Sequence, residues 1–227
     1  MAQNEYFGAL KQRHKRVRLL VKKLNTKRKK QAQKIDILCN DFIAAQRDFI
    51  KNLKTISFIA NFYELLIGAT DLNGLLCTAA KFVKAECSDA TVTFFLRQAP
   101  PVSASLQSTG PGNFELYMFE SEQPIALEKQ HLENCFSTEV MDNICKSNKV
   151  CTLEDMFAMG LQGSLMGLNN ISGVTIPLVL HGSSLGFILL CRSSENPLTA
   201  DQINDISAAS YGLSRAIQSC QATLRSP

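Results

Sequence analysis

At 227 residues with 45% apolar side chains, the chain has material for one sizeable core plus an appendage, or for two small domains. No run approaches the roughly 18 consecutive apolar residues of a membrane-spanning helix, and the opening Met-Ala-Gln-Asn-Glu lacks the charged-then-apolar order of a secretory leader. Neither secretion nor membrane spanning is expected on these grounds, and the expected location is the cytoplasm. The formal charge of +4 conceals an asymmetry: residues 1–34 carry 12 Lys and Arg against Glu5 alone, whereas residues 35–227 carry 12 bases against 19 acids. A basic arm precedes an acidic body, and such an arm either meets an anionic partner or is simply solvated.

From Leu10 to Leu66 there is neither Pro nor Gly, and helix formers abound. A heptad frame fits throughout. One seam position reads His14, Val21, Arg28, Ile35, Phe42, Phe49, Ile56, Tyr63; the other reads Leu10, Val17, Leu24, Gln31, Leu38, Ala45, Asn52, Ile59, Leu66. Alternating steps of four and three mark a coiled coil, good from Ile35 onward and poor around Arg28 and Gln31. Such a helix is about 85 Å long and is expected to project and to need a partner over its stripe.

Gly68 ends this helix, and Asp71 caps the next, from Leu72 to about Ala85. Residues 90–97 are β-rich and predict a strand; 100–112 form a Ser/Gly/Pro loop; 113–120 and 124–128 predict two further strands. Ser137 opens a helix running to Lys146, followed by a short strand at 149–153 and a Met- and Gly-rich irregular stretch at 155–170. Strands at 171–180 and 185–191 are joined by a four-residue turn, His181 to Ser184, and Thr199 caps a final helix reaching about Cys220.

Four stretches resemble the GAF family, the sensory and dimerisation module akin to PAS. They are residues 71–83 (Asp-Leu-Asn-Gly-Leu-Leu-Cys-Thr-Ala-Ala-Lys-Phe-Val) with the strand at 90–97; 137–155, a helix, turn and strand ending in Asp155; 176–190, with its Pro-Leu, hairpin and Gly-hydrophobic pattern; and 198–206, opening the last helix. The resemblance implies an α+β fold, an antiparallel sheet flanked by helices, and makes the preceding helix similar to the signalling helices of such proteins. The expected layout is a basic arm over 1–48, a GAF-like domain over 49–221 and a tail over 222–227.

Fold does not determine function. The Asn-Lys…Phe…Asp-Glu pattern of cyclic-nucleotide-binding members is not visible, and the Cys-His pair that anchors bilins is missing. Where free methionine sulfoxide reductases of this fold hold their catalytic Cys, this chain has Met141, with Cys145 and Cys151 nearby. None of the eight cysteines is spaced as C-x-x-C, so structural zinc is not expected and eight reduced thiols are. His131 reads as a solvated connector residue rather than a haem ligand. No Ser/His/Asp set and no phosphate loop is supported.

The residues therefore predict a module with no catalytic residue, metal or cofactor. In the resembled fold the 155–170 stretch covers a ligand pocket, and Met side chains adapt to varied apolar shapes. Phe94, Leu96, Met118, Met156, Met159 and Met166 are expected to converge on one apolar space for a small, mostly apolar ligand. Homodimerisation is expected through Ile35, Leu38, Phe42, Phe49, Ile56 and Ile59, with Ile203, Ile206, Leu213 and Ile217 of the final helix alongside. No output domain is expected beyond Pro227, and action on a separate signalling partner is therefore the expectation. The competing reading is a protein that binds nucleic acid or an anionic lipid surface through the basic helix.

Overall fold

The structure is a computed structural model that describes residues 2–69, 71–98, 113–119, 132, 134–162 and 170–223; for 2–10 and 223 it describes the backbone alone. The chain divides into two compact units, Met1–Lys54 and Thr55–Pro227. Helix α1 (Ala2–Leu66) supplies the described part of the first and the opening turns of the second. Every residue from 11 to 54 is exposed, including seam residues Ile35, Leu38, Phe42 and Phe49, each about 60% exposed or more.

In the second unit α1 is followed by α2 (Leu72–Glu86), β1 (Thr91–Arg97), β2 (Phe114–Phe119), α3 (Thr138–Ser147), β3 (Cys151–Thr152), α4 (Leu153–Ala158), β4 (Ile171–Leu180), β5 (Ser183–Ser193) and α5 (Ala200–Thr223). The five strands form one sheet in the order β2-β1-β5-β4-β3, with every neighbouring pair antiparallel. The fold is α+β, as the sequence implies. Asp71 caps α2 by accepting from the Gly74 amide, and Ser137 caps α3 by accepting from the Val140 amide. The strand expected at 124–128 lies outside the described residues.

Three local expectations are corrected. The hairpin between β4 and β5 turns on two residues, His181 at φ 50° and Gly182 at φ 78°, because two consecutive left-handed residues match the twist of the flanking strands. The strand expected at 149–153 shrinks to Cys151–Thr152. Part of the stretch read as irregular is helix α4, closed by a capping box in which the Thr152 hydroxyl accepts from the Asp155 amide and the Asp155 carboxylate accepts from the Thr152 amide.

One face of the sheet carries the larger core. Val92, Phe94 and Leu96 of β1, Ile188 and Leu190 of β5, and Val174, Ile176 and Leu178 of β4 pack beneath α2, α5 and the last turns of α1. Those last turns contribute Phe58, Phe62 and Leu66, with Ile59 and Tyr63 partly buried, while Ile56 points outward at 61% exposure. The heptad seam thus gives way to a stripe displaced around the helix, since a straight helix drifts about 20° per heptad against a strict seven-residue repeat. On α5 the residues expected at an intermolecular interface belong instead to this core. Ile206, Leu213 and Ile217 are buried and Ile203 packs against them, because α5 lies on the sheet and its apolar stripe is taken up there.

Gly186 is where β5 tolerates no side chain. Its φ is +142°, and a Cβ built there would lie 1.9 Å from the Phe95 carbonyl oxygen. Gly186→Ala is expected to lower the unfolding free energy by about 2–5 kcal/mol, combining left-handed strain with a backbone clash. Gly182→Ala, in a turn with open space around it, should cost only about 1–2 kcal/mol. Urea titration of the two variants checks the contrast.

Candidate functional site

The opposite face of the sheet holds a second, smaller core, which is the candidate site. Phe95 of β1, Phe187, Leu189 and Cys191 of β5, Ile171 of β4 and Cys151 of β3 form its floor. Val140, Ile144 and Cys145 of α3, Met156 of α4, and Leu132, Cys135, Phe136 and Leu161 cover it. One row of the register crosses all five strands as Met118, Thr93, Leu189, Thr175 and Cys151. Thr93 and Thr175 are buried, and the Thr175 hydroxyl donates to the Cys151 carbonyl at 3.4 Å. The next row brings Phe95 beside Phe187 with ring centroids 4.7 Å apart and nearly parallel, and Phe136 closes on Phe95 at 5.0 Å.

Met156 is fully buried over Gly173 and lies near Cys191: a Cβ on Gly173 would meet the Met156 methyl at 3.7 Å and the Cys191 sulfur at 3.8 Å. The space left among Leu132, Cys135, Phe136, Leu153, Leu161, Ile171, Leu189 and Cys191 is about 20 Å³. That volume holds one water at most, whereas ligand pockets span about 300–1,000 Å³. In the conformation described, side chains occupy this space.

The expected convergence of six residues is therefore corrected. Phe94 and Leu96 lie in the core beneath α2 and α5, while Met118, Met156 and Met159 belong to the other face; Met166 lies outside the described residues. The reason is the two-residue period of a strand: β1 is buried on both faces, so Phe94 and Phe95 point to opposite cores. The alternation keeps Phe94 and Leu96 together, on the face opposite the methionine cover. Phe95, Phe136 and Phe187 line the site and were missed. The signal for Phe95 is its place beside Phe94: adjacent strand residues face opposite sides, so two neighbouring rings call for apolar cover on both.

One end of this face is polar. Arg97, closing β1, pairs with Asp142 on α3 and places its guanidinium 5.4 Å from the Phe114 ring centroid. The Arg97 Nε and the Ser184 hydroxyl are buried, with no hydrogen-bond partner among the described residues. Burial pushes the Cys145 thiol up, with Ser184 and Arg97 pulling it the other way. Burial likewise raises Cys135, and takes Cys191 to about 12. On the far face it takes Cys87 to about 11, against the opposing pull of Arg192. Burial therefore holds these groups as thiols at neutral pH. Among the described residues no group of three or more His, Cys, Asp or Glu is placed to hold a metal ion, and no helix is long and apolar enough to cross a membrane.

This arrangement of sheet and helices is that of GAF domains. The structure is similar to the GAF domain of a phosphoenolpyruvate-protein phosphotransferase from Coxiella burnetii, at 10% identity and a TM-score of 0.50, covering 76% of this chain and 98% of that one. It is equally similar to the GAF domain of the Acinetobacter phosphoenolpyruvate-protein phosphotransferase, at 9% identity and a TM-score of 0.50, with the same coverage. No family model matches the chain, and the search of curated proteins found no match. At such identities the likeness is one of fold: the chain contains a GAF fold preceded by a long helix.

Two outcomes follow from the thiols. Iodoacetamide at pH 7.5 should label exposed Cys39 readily and the six buried cysteines only after denaturation, read by mass spectrometry of the native and urea-treated protein. Stability should also fall in alkali. Folded Cys191 and Cys87 hold their protons to about 12 and 11, whereas unfolded thiols release theirs near 9. Their contribution is complete below pH 9 and is lost as the pH climbs through the folded values. The urea midpoint should drop as the pH rises from about 9 towards 12, and less steeply in Cys191→Ala.

Proposed function

We propose that the protein is a non-catalytic regulatory module of the cytoplasm that dimerises through α1 and acts on a separate signalling protein. One observation carries this reading. The exposed stripe Ile35, Leu38, Phe42, Phe49 and Ile56 lies on the same unbroken helix that delivers Phe58, Phe62 and Leu66 to the core. Full burial of such a side chain is worth roughly 1.5–3 kcal/mol. Over ten such side chains on two helices full burial would sum to about 15–30 kcal/mol, more than the roughly 4–15 kcal/mol of freedom lost on association. A second copy supplies the same stripe in the same order, and closed two-fold pairing covers both at once. Asn52, a polar residue at a seam position, favours one register.

The second core supports the sensory half of the reading. Its floor and cover are mostly apolar, with Thr93 and Thr175 in the floor and Arg97 and Ser184 at one end, so a ligand would be small and mostly apolar. It would enter by displacing α4 and Met156, the six-residue part of the cover that lies above Gly173. Displacement of that cover is the change a paired helix could pass to a partner protein.

Light scattering on the full chain should give about 50 kDa, twice the 25.1 kDa of one chain. Phe42→Asp with Phe49→Asp should halve that mass while circular dichroism and the urea midpoint of the body stay unchanged. A wild-type chain that remains monomeric at tens of micromolar would falsify the reading.

A further inference from the structure

Helix α1 has a second face that pairing does not use. Residues 11–34 hold 12 Lys and Arg and no acid, all on exposed helix. At 100° per residue, ten of the twelve fall within one half of the helix circumference; Arg13 and Arg28 are the exceptions. Val17, Leu20, Val21 and Leu24 occupy the other half, in line with Ile35, Leu38 and Phe42. Pairing along that stripe would leave both basic faces turned outward.

The charge is not explained by the helix itself. Lys11 and Lys15, Arg18 and Lys22, Lys23 and Lys27, and Lys30 and Lys34 are like-charge pairs four residues apart, an arrangement that destabilises a helix unless an anion lies across it. The chemistry of that anion can be narrowed. A helix lying in a membrane interface needs a continuous apolar face, yet residues 25–34 contain no large apolar side chain while carrying Lys27, Arg28, Lys29, Lys30 and Lys34. Single-stranded nucleic acid is held chiefly by base stacking on aromatic rings, and His14 is the sole ring in 11–34. A double helix instead presents one negative charge per about 1.7 Å of its axis. The basic stretch, about 36 Å long at 1.5 Å per residue, matches roughly one turn of duplex.

We propose that the basic face of α1 over residues 11–34 binds the phosphate backbone of double-stranded nucleic acid, independently of base sequence. It uses the half of the helix opposite the pairing stripe.

The test is fluorescence anisotropy of the full chain with a labelled 30-base-pair duplex of mixed sequence. Binding should be sub-micromolar at 50 mM salt and weaken at least about a thousandfold at 200 mM, as six or more phosphate contacts require. A second, unrelated duplex should bind equally. Joint reversal of Lys27, Lys29 and Lys30 to Glu should abolish binding without changing the light-scattering mass, whereas Lys146→Glu with Lys149→Glu on the body should leave binding intact. Absence of duplex binding at 50 mM salt overturns the proposal. So does tighter binding to a single strand of the same length, or binding to phosphatidylserine vesicles with none to duplex. A chain that is monomeric yet binds duplex would remove the pairing reading and leave this one standing.

Discussion

A strand buried on both faces must find apolar cover twice, and in this body β1 and β5 both have to. Residues 91–96 of β1 are buried in unbroken succession, as are 186–192 of β5. The two strands lie side by side at the middle of the sheet, so each alternate residue commits to one of two cores. That requirement explains why helices lie on both sides. It also explains why Gly186 is confined: the strands approach too closely there for a side chain to pass the Phe95 carbonyl. Neither core could be lost without exposing half of both central strands.

The two cores are built differently. Beneath α2 and α5, aliphatic strand residues meet a cluster of rings in which Phe58 and Phe62 lie within about 5 Å of Phe82. Helix approach is close enough that a Cβ on Gly212 would sit 2.0 Å from the Tyr63 ring. On the other face the floor mixes rings, threonines and thiols, and its cover comes from short elements, six residues in the case of α4. Short helices contribute little cooperative stability of their own. The second core is therefore the easier of the two to open.

Much of this was legible in the residues. The α1, α2, β4, β5 and α5 elements announced themselves by period, by caps and by the absence of Gly and Pro. The GAF pattern was carried by motifs at 71–83, 137–155, 176–190 and 198–206. What could not be read was face. Phe94 and Phe95 are adjacent, equally apolar and both buried, so period alone cannot say which one meets Met156. Helix α4 hid for a related reason: six residues give too little periodicity to register, and only its capping box, Thr152 with Asp155, was there to find. The α5 stripe was read correctly as apolar, but whether such a stripe meets its own sheet or another chain is decided by tertiary packing.

Six of the eight cysteines are enclosed when the chain is folded, and none is bridged. While the fold holds, they behave as small hydrophobes. Once it opens, six thiols are released together into whatever redox surroundings exist. In a reducing medium the chain can close again on the same cores. Under oxidising conditions, cross-linking competes with refolding, and a reversible equilibrium becomes a one-way loss. The chain's capacity to recover from unfolding is therefore set by the redox state of its surroundings as much as by its own packing.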